Sequence, residues 1–365
     1  MSREINRIHQ LLIKKGVAFV IYSLPKTTDY QLHISYKPKK FHNLDFLTSN
    51  NDKGFVFAPF DVDSKYPIWF LESDKIIDES SDLYSIEKYL ESLPDSKSKA
   101  KDSINSTTKE EYSIAFDKYK AALDSKQIDK VILSKIVSIE NQNLSLFELF
   151  NRMLTTYPKA FTYFIHLPNG ETWMGASPEV LINHNEKGIN TMALAGTQII
   201  GDQKINKIVW ESKEIEEQAY VKEYISEVLS TFTKKVNCSE TYTSQAGNLA
   251  HLRTDITVNQ IFDRSMIVEI IKRLHPTPAI CGIPLESSRK LILNTENHNR
   301  AYYTGFLGPI SSNSMSLFVN LRCMQILQDK FALYVGGGIT RNSELEKEWL
   351  EAEAKANTLL SVIYS

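Results

Sequence analysis

Glycine is scarce in this chain, 14 among 365 residues, and nowhere is it spaced as GxGxxG or as a P-loop. Without such turns the backbone N–H cradles of dinucleotide and nucleoside triphosphate sites lose their support. Cysteine is scarcer still. Cys238, Cys281 and Cys323 are far apart, odd in number and form no CxxC pair, which argues against a disulfide framework or a zinc knuckle. Three reduced thiols, mostly buried, is the ordinary reading. No charge dominates: 42 Lys and Arg against 44 Asp and Glu give a formal net charge of -2, so no nucleic-acid surface is expected. The longest apolar run, GVAFVIYSL at 16–24, is too short to span a bilayer. The N-terminal MSREINRIHQ carries charge where a signal peptide has an apolar core. The expected setting is a reducing cytoplasm, without membrane or nucleic acid as partner.

What is present is an ordinary globular composition, 42% hydrophobic and 24% charged, in a chain long enough for one large or two ordinary domains. Residues 1 to about 95 mix short strand-like runs (VAFVIYSL, GFVFAPF, YPIWFLE) with polar loops and hold no chemical motif. Residues 92–107 are polar and charged and read as a linker or exposed loop. The chain is therefore divided into 1–105 and 106–365. Thr108 with Glu111 fits a capping box, and Tyr112, Phe116, Tyr119 and Leu123 follow at helical spacing. DKVILSKIV (129–137) then reads as a buried strand, with LSLFELFNRML after it as an amphipathic helix. Hairpins are expected from 160 to 198, a long charged helix at about 210–235, and two strands flanking SQAGN. Helices follow near 263–273 and 285–294, a strand set from 301 to 338, and a last helix from about 343 to 363. Strands come as hairpins rather than alternating singly with helices. That pattern predicts an α+β fold, large antiparallel sheets packed as a sandwich with helices outside.

Several residue patterns suggest chemistry. Lys130 opens the buried strand on the side of Ile132, Ser134 and Ile136 under strict alternation. Glu211, Glu214 and Glu217 share one helix face; Glu348, Glu351 and Lys355 share another. Each face reads equally as a solvated stripe or as ordinary ion pairing; one carboxylate from each helix is also what a Mg²⁺ ion takes while keeping waters for a substrate. Glu179 follows the Ser177-Pro178 break near Trp173, Met174 and Val180. It is either an edge glutamate facing water or a carboxyl whose pKa burial raises, suited to a general acid. LAGT (194–197), HPTPAICG (275–282) and VGGG (335–338) are small-residue loops, either tight turns or places where a ligand approaches the backbone. Arg322, amid apolar neighbours in FVNLRCMQI, needs an anionic partner, whether a structural carboxylate or a substrate's.

In this order KVILSK, GASPE, LAGT, KEIEEQAYV, HPTPAICG, RAYYTGFLG, LRC, VGGGI and EWLEAEAKA resemble the chorismate-utilising enzymes. That family includes anthranilate synthase component I, aminodeoxychorismate synthase, salicylate synthase and isochorismate synthase. The resemblance covers about 129 to 359 and makes 106–365 the expected chorismate-binding catalytic region. Residues 1–105 become a variable N-terminal segment built into the same fold. It implies Mg²⁺-dependent chemistry on chorismate, a small dicarboxylate. Glu217 and Glu351 are the implied metal ligands, with Glu348 beside them or joined to the ion through water. Arg322 and Tyr303 are implied for the enolpyruvyl carboxylate, and Gly196, Thr197, His275, Ala279, Gly336 and Lys355 for the rest of the substrate site.

Members of the family differ in their nucleophile. Where ammonia attacks, the position of Lys130 resembles a glutamine in the family pattern; a lysine there resembles the base that activates water. A lysine nucleophile used by aminodeoxychorismate synthase falls where this chain has Ala195. HPTPA, with Ala279, is similar to the isochorismate synthases, whereas salicylate and anthranilate synthases tend to have threonine. The resemblance thus implies water attack at ring C2 with Lys130 as base and loss of the C4 hydroxyl with Glu179 as acid. No nicotinamide, flavin or obligatory glutamine amidotransferase subunit is expected. Salicylate synthase, which adds pyruvate elimination, and a catalytically silent chorismate-binding subunit are the rival readings. The implied product feeds quinone and siderophore routes alike. Two departures stand out: Gln218 replaces a histidine common beside the metal carboxylate, and Ala193 stands where proline is common before LAGT.

Overall fold

The computed structural model describes residues 2–365 apart from 28, 50–52, 79–80, 99–102, 142–143 and 202. Two sheets carry the architecture, and every pairing among the described strands is antiparallel. The first has nine strands, running from Gly282–Ile283 through Lys130–Glu140, Lys330–Thr340, Cys323–Ile326, Thr172–Ser177, Phe161–His166, Ala18–Ser23 and Gln31–Ser35 to Lys75–Ile77. The second has ten. Its path is Val236–Cys238, Leu249–Val258, Gly188–Ile199, Val180–Asn185, Met315–Val319, Phe306–Ile310, Gly54–Ala58, Ile68–Glu72 and Lys39–Phe41, with Tyr242–Ala246 also paired on Leu249–Val258. The fold is α+β.

The sheets face each other across an aromatic layer. Val20, Tyr163 and Trp173 from the first meet Phe57, Trp69 and Phe318 from the second. The Phe161 and Phe318 rings stack at 4.1 Å between centroids. Burying one such side chain stabilises by about 1.5–3 kcal/mol. Helices cover the outer faces because each sheet's other side is also apolar. Ile225, Leu229, Ile267 and Ile271 cover the second sheet; Phe150, Met153, Leu359 and Val362 cover the first.

The capping box at Thr108 and Glu111 is formed and starts the helix Lys109–Asp124. The helices expected at 144–154, 263–273, 285–294 and about 343–363 are present as Leu146–Thr156, Arg264–Leu274, Leu285–Thr295 and Leu345–Ile363, and the long charged helix expected at about 210–235 is Ser212–Ser230. Three expectations need correction. The N-terminal helix Ser2–Lys15 was not foreseen; it buries Ile5, Ile8 and Leu12 on one face. The strand set begins at Phe306, because Ala301 and Thr304 take positive φ in a turn. In the stretch 92–107, of which 99–102 lie outside the described residues, the end is strapped down: the Thr107 N–H donates to the Ile136 carbonyl at 2.9 Å and the Ser138 N–H to Ser106 Oγ at 2.8 Å. Residues 18–77 supply strands to both sheets.

Of the chain's crossings between the sheets, two lie next to each other. Ser177-Pro178 separates Thr172–Ser177 in the first sheet from Val180–Asn185 in the second, so this stretch is not one hairpin. Residues 320–322 make the return crossing from Met315–Val319 to Cys323–Ile326. The crossings are tied together: Ser177 Oγ donates to the Val319 carbonyl at 2.5 Å, the Val319 N–H to the Glu179 carbonyl at 3.0 Å, and the Ala176 N–H to the Arg322 carbonyl at 3.1 Å. These bonds fix Glu179 and Arg322 side by side where the sandwich opens.

Candidate functional site

A cavity lies at these crossings. Glu179, Gly196, Thr197, Glu217, Ala279, Tyr303, Arg322, Gly336 and Lys355, all singled out in the sequence, line it. Lys130 sits just behind. It is 0% exposed, and its Nζ lies 2.9 Å from Glu217 Oε1 without a well-formed hydrogen bond. Its strand runs in register with the glycine strand, Lys130 opposite Thr340 and Ser134 opposite Gly336. At Gly338 a Cβ would collide with Glu217 Oε1 and stand 3.2 Å from the Lys130 side chain, so any side chain there would displace the Glu217 carboxylate. Gly196, at φ +70°, is also constrained: a Cβ there would lie 3.0 Å from Glu214 Cβ, so LAGT packs directly on the helix that carries Glu217.

Glu179 is 3% exposed. Burial raises its pKa to about 8, against a smaller downward pull from Lys130. At neutral pH it therefore holds a proton. Glu217 behaves in the opposite way. Burial pushes it up, but Lys130, Lys355 and Lys213 outweigh burial and keep it below the ordinary carboxylate range.

Behind this end of the cavity three carboxylates each face a lysine, and of the three only Glu217 lines the cavity. Lys130 meets Glu217 at 2.9 Å, Lys213 meets Glu348 at 2.5 Å, and Lys355 meets Glu351 at 2.8 Å while donating to the Gly336 carbonyl at 2.9 Å. Burial pulls the Lys213 pKa down, but Glu348, Glu351 and Glu217 together carry it above its ordinary value. Three carboxylates from two helices thus stabilise one cation. Glu348 is 1% exposed and its Oε2 has no well-formed hydrogen bond. Among the described residues no three ligating side chains are gathered into a ready-made metal cage. The donor set nevertheless fits Mg²⁺, which takes oxygen ligands and is usually held by one or two carboxylates plus substrate and water.

The far end is different. Arg322, at φ +47°, sits in the left-handed region that costs an L-residue about 1–2 kcal/mol. Its guanidinium donates to the Ala246 carbonyl at 3.1 Å and to His251 Nε2 at 2.8 Å. No carboxylate of the described residues pairs with it, and burial pulls its pKa down to about 10. Arginine only donates, so His251 Nε2 must be the bare nitrogen. Nδ1 then carries the hydrogen and donates to the Gly196 carbonyl at 3.1 Å. Burial first, and then Arg322 and Lys355, lower the His251 pKa to about 3, so the ring stays neutral.

His251 lines the cavity and was missed in the sequence. It stands in Leu249–Val258 opposite the irregular register between Ala195 and Gln198, and that irregularity is not visible in one sequence. The buried pair Glu296–Arg300 was also missed. Arg300 donates to the carbonyls of Ile132 (2.7 Å) and Ile280 (2.9 Å), both of which line the cavity. His275 is a correction. It lies outside the cavity, caps the helix Arg264–Leu274, packs edge-on against Phe306 and places Nε2 3.2 Å from the Phe60 carbonyl. It fastens the loop that presents Ala279. Gln218 turns from the carboxylates and donates to Thr254 Oγ1 at 2.8 Å, tying its helix to the sheet.

This combination of a sandwich split at two crossings, a carboxylate–lysine end and an unpaired arginine defines a class of site for small anions. The chain belongs to the chorismate binding enzyme family, whose profile matches residues 47–364. It is 25% identical over 245 residues to the isochorismate synthase EntC of Escherichia coli strain K12, covering 65% of this chain and 62% of that relative. In three dimensions it is similar to MenF, the menaquinone-specific isochorismate synthase of Escherichia coli, at a TM-score of 0.77 and 20% identity over 96% of this chain and 91% of the other. It is also similar to anthranilate synthase component I of Streptococcus pneumoniae, at 0.70 and 16% over 93% and 89%. The likenesses in three dimensions establish the fold. Among the described residues no helix is long and apolar enough to cross a membrane.

Proposed function

We propose that this chain is an isochorismate synthase, converting chorismate to isochorismate with Mg²⁺. The observation that carries the reading is the buried, protonated Glu179 in the same cavity as an arginine lacking any carboxylate partner, with Lys130 beyond Glu217. The name printed for the relative EntC supports it.

Arg322 binds the enolpyruvyl carboxylate, with Tyr303 beside it. Glu217 and Glu351 would hold Mg²⁺, with Glu348 alongside, and the bound ion would supply positive charge for the ring carboxylate. Lys130, having given up the proton it carries against Glu217, acts as the neutral amine and takes a proton from water as the water oxygen bonds to C2. The ring double bonds shift, the C4–O bond breaks, and Glu179 gives its proton to the departing hydroxyl, which leaves as water. One water enters and one leaves, so substrate and product are isomers and no redox cofactor takes part. Water is the nucleophile, so no ammonia-supplying subunit is required.

Chromatographic product analysis after incubation with chorismate and Mg²⁺ tests this. Isochorismate is expected. Salicylate with pyruvate would make the chain a salicylate synthase, anthranilate formed with ammonia would contradict the role given to Lys130, and unchanged chorismate would leave a silent binding protein.

A further inference from the structure

A second cavity, of about 690 Å³, meets the substrate pocket at Pro178, Leu194, His251 and Arg322, which line both. Its floor at Met192, Leu194, His251 and Phe318 is buried, while its rim at Leu24, Lys26, Pro158, Lys159 and Gln245 is exposed. It is an open antechamber whose inner wall is the guanidinium of Arg322.

The charge of this antechamber is one-sided. Lys26, Lys159, Arg253 and Arg322 line it, and among the described residues no Asp or Glu does. Arg253 is neutralised by Asp255 at 2.8 Å. Lys26 and Lys159 have no acidic partner among the described residues, and their turns are joined by a 2.7 Å bond from the Lys26 N–H to the Pro158 carbonyl. The chain as a whole has a formal net charge of -2, so a cationic mouth is not a reflection of bulk composition. At the other end of the substrate pocket the three lysines are matched by three glutamates. An anion arriving through the antechamber meets uncompensated positive charge from rim to floor, and a cleft lined by one sign of charge raises local ligand concentration and arrival rate.

We propose that this second cavity is the passage through which a dicarboxylate substrate reaches the pocket, with Lys26 and Lys159 as guiding charges that deliver its carboxylate to Arg322. This rests on the proposed function only in taking the ligand to be the chorismate dianion.

The test is the Lys26→Glu/Lys159→Glu double variant beside Lys118→Glu, an exposed lysine that lines neither cavity. Turnover and calorimetric chorismate binding are measured at low and high salt. At about 10 mM salt the double variant is expected to lose roughly threefold to thirtyfold in kcat/KM and in affinity. The loss should shrink below about twofold near 500 mM, where charges are screened beyond about 4 Å. Most of it should fall on KM rather than kcat. Lys26→Ala/Lys159→Ala should show a smaller loss with the same salt dependence. An equal loss in Lys118→Glu, no loss, or a loss indifferent to salt overturns the passage. If the wild-type protein binds chorismate but makes no isochorismate, the proposed function fails while the binding measurements still decide on the passage.

Discussion

The two ends of the pocket solve opposite electrostatic problems. At one end Glu217, Glu348 and Glu351 are each matched by a lysine, with Lys213 a resident cation that all three carboxylates stabilise. At the other, Arg322 donates only to a carbonyl and a neutral imidazole and has no anion. A half-buried cation without an anionic partner carries a desolvation cost that an anionic ligand can offset. In the proposed reading Mg²⁺ joins the carboxylates of the first end and a substrate carboxylate joins the second. A dicarboxylate with Mg²⁺ on one of its groups satisfies both, and Glu179 stands between them holding a proton.

Breaking the reaction between the ends should have the largest effect. Lys130→Gln leaves no base in the pocket for the attacking water, so isochorismate formation should fall by about ten-thousandfold, the upper range for a positioned base. Mg²⁺-dependent chorismate binding should largely remain, as read by calorimetry. Near-normal turnover would remove this lysine from the mechanism.

Glu179→Gln keeps the shape but cannot give a proton, and should cost about a hundredfold to ten-thousandfold in kcat, with affinity changing much less. The acid works only while protonated. With its pKa raised to about 8, wild-type activity should hold through neutral pH and fall as pH rises above about 8. In Glu179→Gln the residual activity should lack that alkaline limb; a limb that persists would belong to another group.

The arginine end can be broken separately. Arg322→Met should lower kcat/KM by about a hundredfold through lost binding of one carboxylate. Mg²⁺ binding at the other end should be unchanged. Equal losses in substrate and metal binding would mean that the two ends are not independent.

The smallest effect concerns the resident cation. Lys213→Gln leaves Glu348, 1% exposed, without its 2.5 Å partner and should lower the melting temperature of the metal-free protein by a few degrees, about 1–3 kcal/mol. Added Mg²⁺ should restore part of that loss. Restoration by monovalent salt alone would point to general screening instead.

How far the sequence could be read depended on the range of the signal. Capping at Thr108, the helical periodicities and the apolar strand at Lys130 are local, and the helices they start and the strand they mark are in place. The faces carrying Glu217 and Glu351 were legible as spacing, but that both helices lean on the glycine strand is tertiary information. Ser177-Pro178 was visible as a break, whereas its meaning, a crossing from one sheet to the other, depends on partners more than a hundred residues away. His251 was hidden because a lone histidine in an alternating strand looks like any half-buried residue. His275 enters the substrate site in the sequence through the HPTPA motif; in the structure Ala279 of that motif lines the cavity, whereas the His275 side chain faces Phe60 and Phe306.

The opposition between the two ends is tested most directly by a crystal structure of the protein with Mg²⁺ and isochorismate. The ion should lie on Glu217 and Glu351 and touch the ring carboxylate, with the enolpyruvyl carboxylate on Arg322 and the C2 and C4 positions facing Lys130 and Glu179. An ion bound by neither glutamate, or a ligand turned so that its ring carboxylate rests on Arg322, would contradict the account.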